Sequence, residues 1–226
     1  MLDRLNTLLE PSGLFVRGGF HPGAADGVPP LSGGQAARTA LLVGNAGAAM
    51  WQAFRRDGDP DRAHPLDSWL RPRIEATAET AGAEVLFPND GPPWLPVQGW
   101  AVRAEAVSRS PVGIMIHPEF GLWHVYRAVF LFAERLDLPP RADAPSPCET
   151  CAKRPCLSVC PADAFRPDRF DAAACVAHVE SDGGGACRNG GCLARRACPV
   201  GRGYVYPPDQ QAFHTAAMLR AAKRFL

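Results

Sequence analysis

Cysteine is missing from the first 147 residues and from the last 28 of this 226-residue chain. An excess of charge of one sign is also missing, because 24 basic and 23 acidic residues leave a formal net charge of +1. A chain so close to neutral has no general attraction for nucleic acid or for an anionic membrane surface. We therefore expect no nucleic-acid partner and no membrane partner.

Long apolar runs are lacking as well. The longest, from Val125 to Ala133, is short and contains Arg127, which excludes a membrane span of about 20 apolar residues. The N-terminal stretch carries acidic residues and has no apolar signal-peptide core. The sequence thus predicts neither a membrane span nor a signal peptide.

Glycine and proline, by contrast, are plentiful. At 22 and 23 residues they make up about a fifth of the chain, against a usual share of about 12%. A hydrophobic content of 46% and a charged content of 21% are ordinary for a globular protein. This composition predicts a folded protein built from short elements joined by many turns.

All eight cysteines lie between Cys148 and Cys198. The first four have the spacing C-x2-C-x4-C-x3-C-P and are Cys148, Cys151, Cys156 and Cys160, followed by Pro161. The other four, Cys175, Cys187, Cys192 and Cys198, end in a second Cys-Pro pair. Thiolates are the usual ligands of iron–sulfur clusters and of structural zinc, so this region predicts metal binding.

Four interpretations fit eight cysteines. Two [4Fe–4S] clusters need four thiolates each, and two zinc sites would need the same number. One cluster with spare thiols and a disulfide framework are the others, although disulfides suit small secreted domains. The two Cys-Pro endings favour two clusters. Because thiolate ligands must stay reduced, we expect a cytoplasmic protein.

The first cysteine group resembles the bacterial ferredoxin motif C-x2-C-x2-C-x3-C-P, with one gap two residues longer. In ferredoxins with two clusters the fourth cysteine binds the other cluster. This resemblance implies two ligand sets. Set A is Cys148, Cys151, Cys156 and Cys198, and set B is Cys160, Cys175, Cys187 and Cys192.

The residues before the cysteines predict an α+β layer with a central antiparallel sheet. Three apolar runs, Thr39–Val43, Val112–Ile116 and Val125–Phe132, read as its central strands, and the last two as a hairpin. A helix is predicted over 66–81 and another after Pro208, with residues as far as Arg224 at helical spacing. The expected domains are 1–143, 144–206 and a C-terminal helix over 207–226.

The run from Val112 to Trp123, VGIMIHPEFGLW, resembles the I-H-P-x-F-G-x-W segment of the CblC-type cobalamin-processing chaperones. That family is built on a nitroreductase-like α+β sandwich and removes the upper ligand of cobalamin by reduction. The resemblance implies such a sandwich over residues 1–143 and a corrinoid, cobalamin, as a second cofactor. It also implies cofactor contacts at His117, Phe120, Gly121 and Trp123.

The cysteine region in turn is similar to the ferredoxin-like tail of epoxyqueuosine reductases and reductive dehalogenases. The segment from Asp171 to Glu180, DAAACVAHVE, resembles the one around their isolated cysteine. Those enzymes pair two [4Fe–4S] clusters with a cobalamin-binding domain. This chain departs from them in its wider gaps, and the general acid of an epoxyqueuosine reductase is not identifiable in it.

Together these features predict a redox protein that passes single electrons through two [4Fe–4S] clusters to a bound corrinoid, for cobalamin reduction or upper-ligand removal. Its electrons would come from an electron-donor protein or a flavoprotein reductase. The alternative is a ferredoxin-like carrier that serves a protein partner and binds no corrinoid. A zinc-bound interaction module remains open if the metal is not iron.

Overall fold

The structure, a computed structural model, describes residues 1–166 and 169–223. The chain divides into two compact units. Unit 1 contains residues 1–106 and 124–144, and unit 2 contains residues 107–123 and those from 145 onward. Residues 107–123 thus group with the cysteine region, whereas the expected first domain, 1–143, includes them. The expected domains 1–143, 144–206 and 207–226 stay predictions.

The described residues hold both strands and helices, which confirms the α+β class. The strands are β1 Phe15–Phe20, β2 Thr39–Ala46, β3 Glu84–Leu86, β4 Ser108–Arg109, β5 Met115–Ile116 and β6 His124–Phe132. The α-helices are α1 Leu2–Leu9, α2 Ala49–Asp57, α3 Pro65–Ala81, α4 Val97–Ala104, α5 Ala172–Glu180, α6 Gly185–Gly190, α7 Leu193–Arg196 and α8 Pro208–Ala222. Single 3₁₀ turns lie at Glu10–Ser12, Ala24–Asp26, Pro155–Leu157, Asp182–Gly184 and Arg202–Tyr204.

Unit 1 is built on a four-stranded antiparallel sheet of order β1-β2-β6-β3. The two central strands, β2 and β6, pair from Thr39 opposite Phe132 to Ala46 opposite His124. Nearly every residue of β2 is buried, as the continuous apolar run of that strand predicts for a sheet covered on both faces. Helices α1 and α4 pack against β1, α2 against β2 and α3 against β3.

Strand β1 continues through two glycines, Gly18 and Gly19. A Cβ on Gly18 would lie 2.6 Å from the carbonyl oxygen of Ala104, and one on Gly19 would lie 2.4 Å from the Leu41 side chain. Only residues without a side chain allow α4 and β2 to approach this closely. Gly18 and Gly19 therefore extend the strand instead of ending it.

A buried polar network crosses the interior of unit 1. The side chain of Arg17, fully buried, pairs with the Glu105 carboxylate at 2.9 Å, and its Nη1 lies 3.1 Å from Nδ1 of His124. The hydroxyl of Tyr126 donates to the same carboxylate. Burial raises the pKa of Glu105, while Arg17 and Tyr126 act in the opposite direction. A charged side chain stays charged in a protein interior only when it is paired in this way.

The predicted central strand Val112–Ile116 is wrong. Only Met115 and Ile116 are extended, and they pair with β4 in a separate two-stranded sheet of unit 2. The turn before them is closed by a hydrogen bond from Gly113 to Ser110, and Gly113 has a φ of +78°. This left-handed conformation interrupts the extended run, so the predicted hairpin with residues 125–132 does not form.

Unit 2 buries its apolar residues around the cysteines. Val112 and Ile116 pack with Leu122, Ala194 and Cys198 in one cluster. Helix α8 packs on α6 and α5, and the predicted last-helix position Arg224 lies outside the described residues. No helix within 1–166 and 169–223 combines the length and apolar character that crossing a membrane requires.

Candidate metal centres

The four cysteines of set A surround one hollow in unit 2. Cys148, Cys151, Cys156 and Cys198 all line this hollow, which has a volume of about 20 Å³. Its other walls come from apolar residues, among them Val112, Ile116, Leu122 and Val200. Four thiols that are separated by up to 50 positions in sequence are thus brought to one place in the core.

The longer gap before Cys156 is accommodated by a loop that leaves the hollow. Residues 152–154 are exposed, and Arg154 has a φ of +37°. The chain then enters the 3₁₀ turn Pro155–Leu157, which begins at the only residue type that fixes φ. This turn returns Cys156 to the hollow, so the two additional residues of the x4 gap do not separate it from Cys148 and Cys151.

The four cysteines of set B surround a second, larger cavity. Cys160, Cys175, Cys187 and Cys192 all line it, and its volume is about 270 Å³. The remaining wall is mostly apolar and includes Val112, Ile114, Phe165, Phe170, Leu193 and Met218. The structure therefore separates the eight thiols into the same two sets that the ferredoxin resemblance implies.

Short helices position the ligands of set B. Cys175 lies in α5, whose first turn is capped by Asp171 accepting a hydrogen bond from the Ala174 N–H at 2.9 Å. Cys187 lies in α6, and Cys192 directly precedes α7. Because Cys192 stands at a helix start, its sulfur accepts hydrogen bonds from the backbone N–H groups of Ala194 and Arg195.

Burial makes these thiols hard to ionise while no cation is bound to them. It raises the pKa of Cys175 to about 11, and negative charge on Cys192, Cys160 and Cys187 raises it further. Burial likewise raises the pKa of Cys148, Cys156 and Cys198. Four mutually repelling thiolates become favourable only when a positively charged centre binds among them and their protons are released.

Backbone N–H groups already point at several of the sulfurs. The Ala164 N–H lies 3.5 Å from the Cys160 sulfur, and the Val200 N–H donates to Cys198. Such donors stabilise the thiolate form and tune the potential of any cluster held by it. The donor groups and the thiols together match the requirements of an iron–sulfur site.

The cavity of set B fits a group larger than a single ion. A zinc ion lies only about 2.3 Å from each thiolate sulfur, whereas the cavity that the four cysteines line has a volume of about 270 Å³. The hollow of set A is smaller, at about 20 Å³. Within residues 1–166 and 169–223, no group of three or more His, Cys, Asp or Glu is spaced to hold one metal ion.

The turn that was predicted to contact a corrinoid packs against the cysteine region of its own unit. The ring of His117 stacks on that of Phe120 at 4.3 Å between centroids, and Phe120 meets Tyr204 edge-on at 4.8 Å. Both His117 and Phe120 are half-buried. These two side chains therefore keep surface that a ligand can reach.

The other two predicted contacts are enclosed. Trp123 is 0% exposed and packs on Tyr206, with the guanidinium of Arg195 4.5 Å from its ring centroid. Gly121 has a φ of +57°, and a Cβ there would lie 2.2 Å from the Val200 carbonyl oxygen. A corrinoid contact at Trp123 stays a prediction, and it requires this side chain to leave its present place.

Two residues around the sites, Arg195 and His178, were not predicted from the sequence. Arg195 donates to the Leu122 carbonyl from Nε at 3.1 Å and from Nη2 at 2.6 Å, which fastens the 117–123 turn. His178 lines the cavity of set B, and its position three residues after Cys175 was the available signal, since such pairs share a helix face. Arg195 gave no comparable signal, because its partner lies 73 positions away.

Comparison with known proteins gives a likeness of fold alone. No family model matches the chain, and no curated protein matches it. The epoxyqueuosine reductase of Streptococcus thermophilus is similar at 16% identity and a TM-score of 0.48, over 77% of this chain and 53% of that one. The Bacillus subtilis enzyme is similar at 15% identity and a TM-score of 0.47, over 77% of this chain and 52% of that one. The chain thus spans about half the length of these structures.

A further similar structure corrects one expectation. It is an epoxyqueuosine reductase with a tRNA stem loop, at 15% identity, a TM-score of 0.48, and coverage of 77% of this chain and 52% of that one. The exclusion of nucleic acid from the net charge of +1 is therefore wrong. Net charge sums over the whole chain and does not describe the local surface that a phosphate backbone would meet.

Proposed function

We propose that this protein transfers single electrons through two [4Fe–4S] clusters, one held by set A and one by set B. The observation that carries the proposal is that each hollow is lined by four cysteines, which is the number of thiolates such a cluster takes. When bound, clusters of this kind supply one-electron oxidation and reduction. The eight thiolates call for a reducing compartment, which for this chain is the cytoplasm.

The residues of the chain provide what such a centre needs from its protein. The apolar side chains of Val112, Phe165 and Leu193 line the cavity of set B and limit the access of water to it. The N–H groups directed at Cys160, Cys192 and Cys198 stabilise negative charge on the thiolates. Val112 lines both hollows, so the two sets are neighbours and an electron has a short distance to cover between them.

The first test is the metal content of the protein purified without oxygen. We expect about eight iron and about eight sulfide atoms per chain, since two four-iron clusters are bound, and a broad visible absorbance that bleaches on reduction. Iron, sulfide and zinc analysis with absorbance spectroscopy provides the measurement. About four iron atoms would indicate a single cluster, and two zinc atoms without iron would overturn the proposal.

The electron acceptor that fits the sequence resemblance is a corrinoid, with cobalamin reduction or upper-ligand removal as the reaction. The nitroreductase-like sandwich and the ferredoxin-like two-cluster domain belong to the same proposal. Among the predicted contacts, His117 and Phe120 carry it, because they keep exposed surface. The alternative acceptor is a protein partner with no corrinoid.

Cobalamin binding separates these acceptors. We expect a base-off change in the visible spectrum when cobalamin is added to the holoprotein. Replacing Phe120 with Ala should weaken cobalamin binding about fivefold, because one aromatic contact contributes ~1 kcal/mol to the free energy of binding. Trp94→Ala is the matched control, since this side chain is 66% exposed in unit 1. If the protein has its full iron content and cobalamin causes no spectral change, the corrinoid proposal is wrong. The alternative, an electron carrier for a protein partner, would then stand.

A further inference from the structure

An open hollow on unit 2 combines aliphatic side chains with arginines. Six residues line it, four of them aliphatic and two of them arginine: Val159, Leu193, Ala197, Val205, Arg196 and Arg202. Both arginines are exposed, as are Leu157 and Val159 beside them. We refer to this surface as the arginine-edged hollow. An apolar centre with a charged rim is the usual anatomy of a protein–protein interface.

The two chain segments that form this surface are basic. Residues 151–161 and 192–206 together contain Lys153, Arg154, Arg195, Arg196 and Arg202, and their sequences contain no acidic residue. The segments contact each other where α7 meets the 3₁₀ turn Pro155–Leu157. One carboxylate, Glu119, accepts a hydrogen bond from the Tyr204 hydroxyl of this region. The charged side chains that line the hollow, Arg196 and Arg202, are therefore both positive although the whole chain is nearly neutral.

The arginine-edged hollow lies next to the cavity of set B. Leu193 lines both of them, so one side chain is shared by the surface and the buried site. Cys192, the neighbour of Leu193 in sequence, is the exposed member of the eight cysteines. A redox group of a partner docked here would lie close to the cysteines of set B. An electron would then not have to cross the apolar core to reach them.

We propose that the arginine-edged hollow docks an acidic one-electron donor protein and that electrons enter the chain at set B. The inference rests on the function proposed above. In each encounter the reduced cofactor of the donor loses one electron, the centre held by set B gains it, and no covalent bond forms or breaks. The positive rim attracts the acidic partner, and the aliphatic centre supplies the contact that holds it briefly.

The composition of the surface favours a protein over RNA. Four of its six lining residues are aliphatic, whereas single-stranded nucleic acids are held chiefly by stacking on aromatic side chains. An RNA stem would in addition need basic groups placed along its phosphates. A compact aliphatic centre between two arginines matches a small acidic protein better.

The test uses the anaerobic holoprotein and a reduced flavodoxin as the acidic donor, with reduction followed by stopped-flow absorbance. Replacing Arg196 with Glu should lower the second-order rate about tenfold at low salt, because the charge that steers the encounter is reversed. Lys153→Glu on the neighbouring loop should act in the same direction. The difference from the unmodified protein should shrink as salt is added, since salt screens the attraction.

Arg4→Glu in α1 is the matched control, because it makes the same charge change at an exposed site of unit 1. Dithionite reduction, which needs no docking, should be equal in all variants. A missing bleach with dithionite would count against the clusters themselves. Normal dithionite reduction with flavodoxin rates unchanged in R196E and K153E would overturn the docking proposal alone. So would loss of binding to a tRNA stem-loop probe in these variants with flavodoxin rates unchanged.

Discussion

Replacing Cys198 with Ser is expected to remove the cluster of set A and leave that of set B, so that iron falls from about eight to about four atoms per chain. Cys198 lies only six residues beyond Cys192, but the two line different hollows. Cys198 is 7% exposed inside the apolar cluster with Val112 and Ile116. Iron analysis and electron paramagnetic resonance of the reduced protein provide the measurement.

Cys192→Ser is the reciprocal variant and should remove the cluster of set B instead. The two variants should retain different spectra, each with about half of the iron. Identical spectra, or loss of all iron in both, would mean that the eight thiols act as one unit. Loss of the set B signal in the Cys198→Ser protein would show that the sets are exchanged.

Replacing Gly121 with Ala is expected to destabilise unit 2 by about 3 kcal/mol or more. Two costs add here: the left-handed conformation at a φ of +57° costs an alanine about 1–2 kcal/mol, and its Cβ would lie 2.2 Å from the Val200 carbonyl oxygen. Because Val200 follows Cys198 by two residues, relief of the clash moves the set A ligand. Urea unfolding of the holoprotein, followed by circular dichroism and cluster absorbance, measures the change.

Gly113→Ala supplies the control for this experiment. Gly113 has a φ of +78°, but a Cβ there would meet no atom within 4 Å. Its replacement should therefore cost only the conformational part, about 1–2 kcal/mol, with iron content unchanged. Equal losses of stability in the two variants would show that the contact with Val200 adds nothing to the cost of the Gly121 replacement. The backbone around Gly121 would then have shifted to accommodate the new Cβ.

The cysteine spacing shows how far sequence reasoning reaches in this protein. Eight cysteines within 51 residues, with two Cys-Pro endings, favour metal ligation over a disulfide framework. The ferredoxin resemblance divides them into the same two sets that line the two hollows. The apolar runs of β2 and β6 likewise predict the centre of the sheet, since strands covered on both faces read as continuous apolar sequence.

The stretch before the IHPEFGLW turn marks the limit of such reasoning. Val112–Ile116 is as apolar as a central strand, yet its residues wall the two cysteine hollows. An apolar run predicts that its residues are buried, but it does not predict which part of the protein they pack against.

The position of Val112 in the wall of both hollows has an energetic consequence for loaded protein. Clusters held by set A and set B would lie on either side of this one aliphatic side chain and would repel each other's added charge, because the apolar core screens it poorly. An electron at one cluster would therefore lower the potential at which the other accepts a second. Even two centres of equal intrinsic potential would titrate in separate steps. The packing around Val112 would make this protein deliver electrons one at a time rather than as a pair.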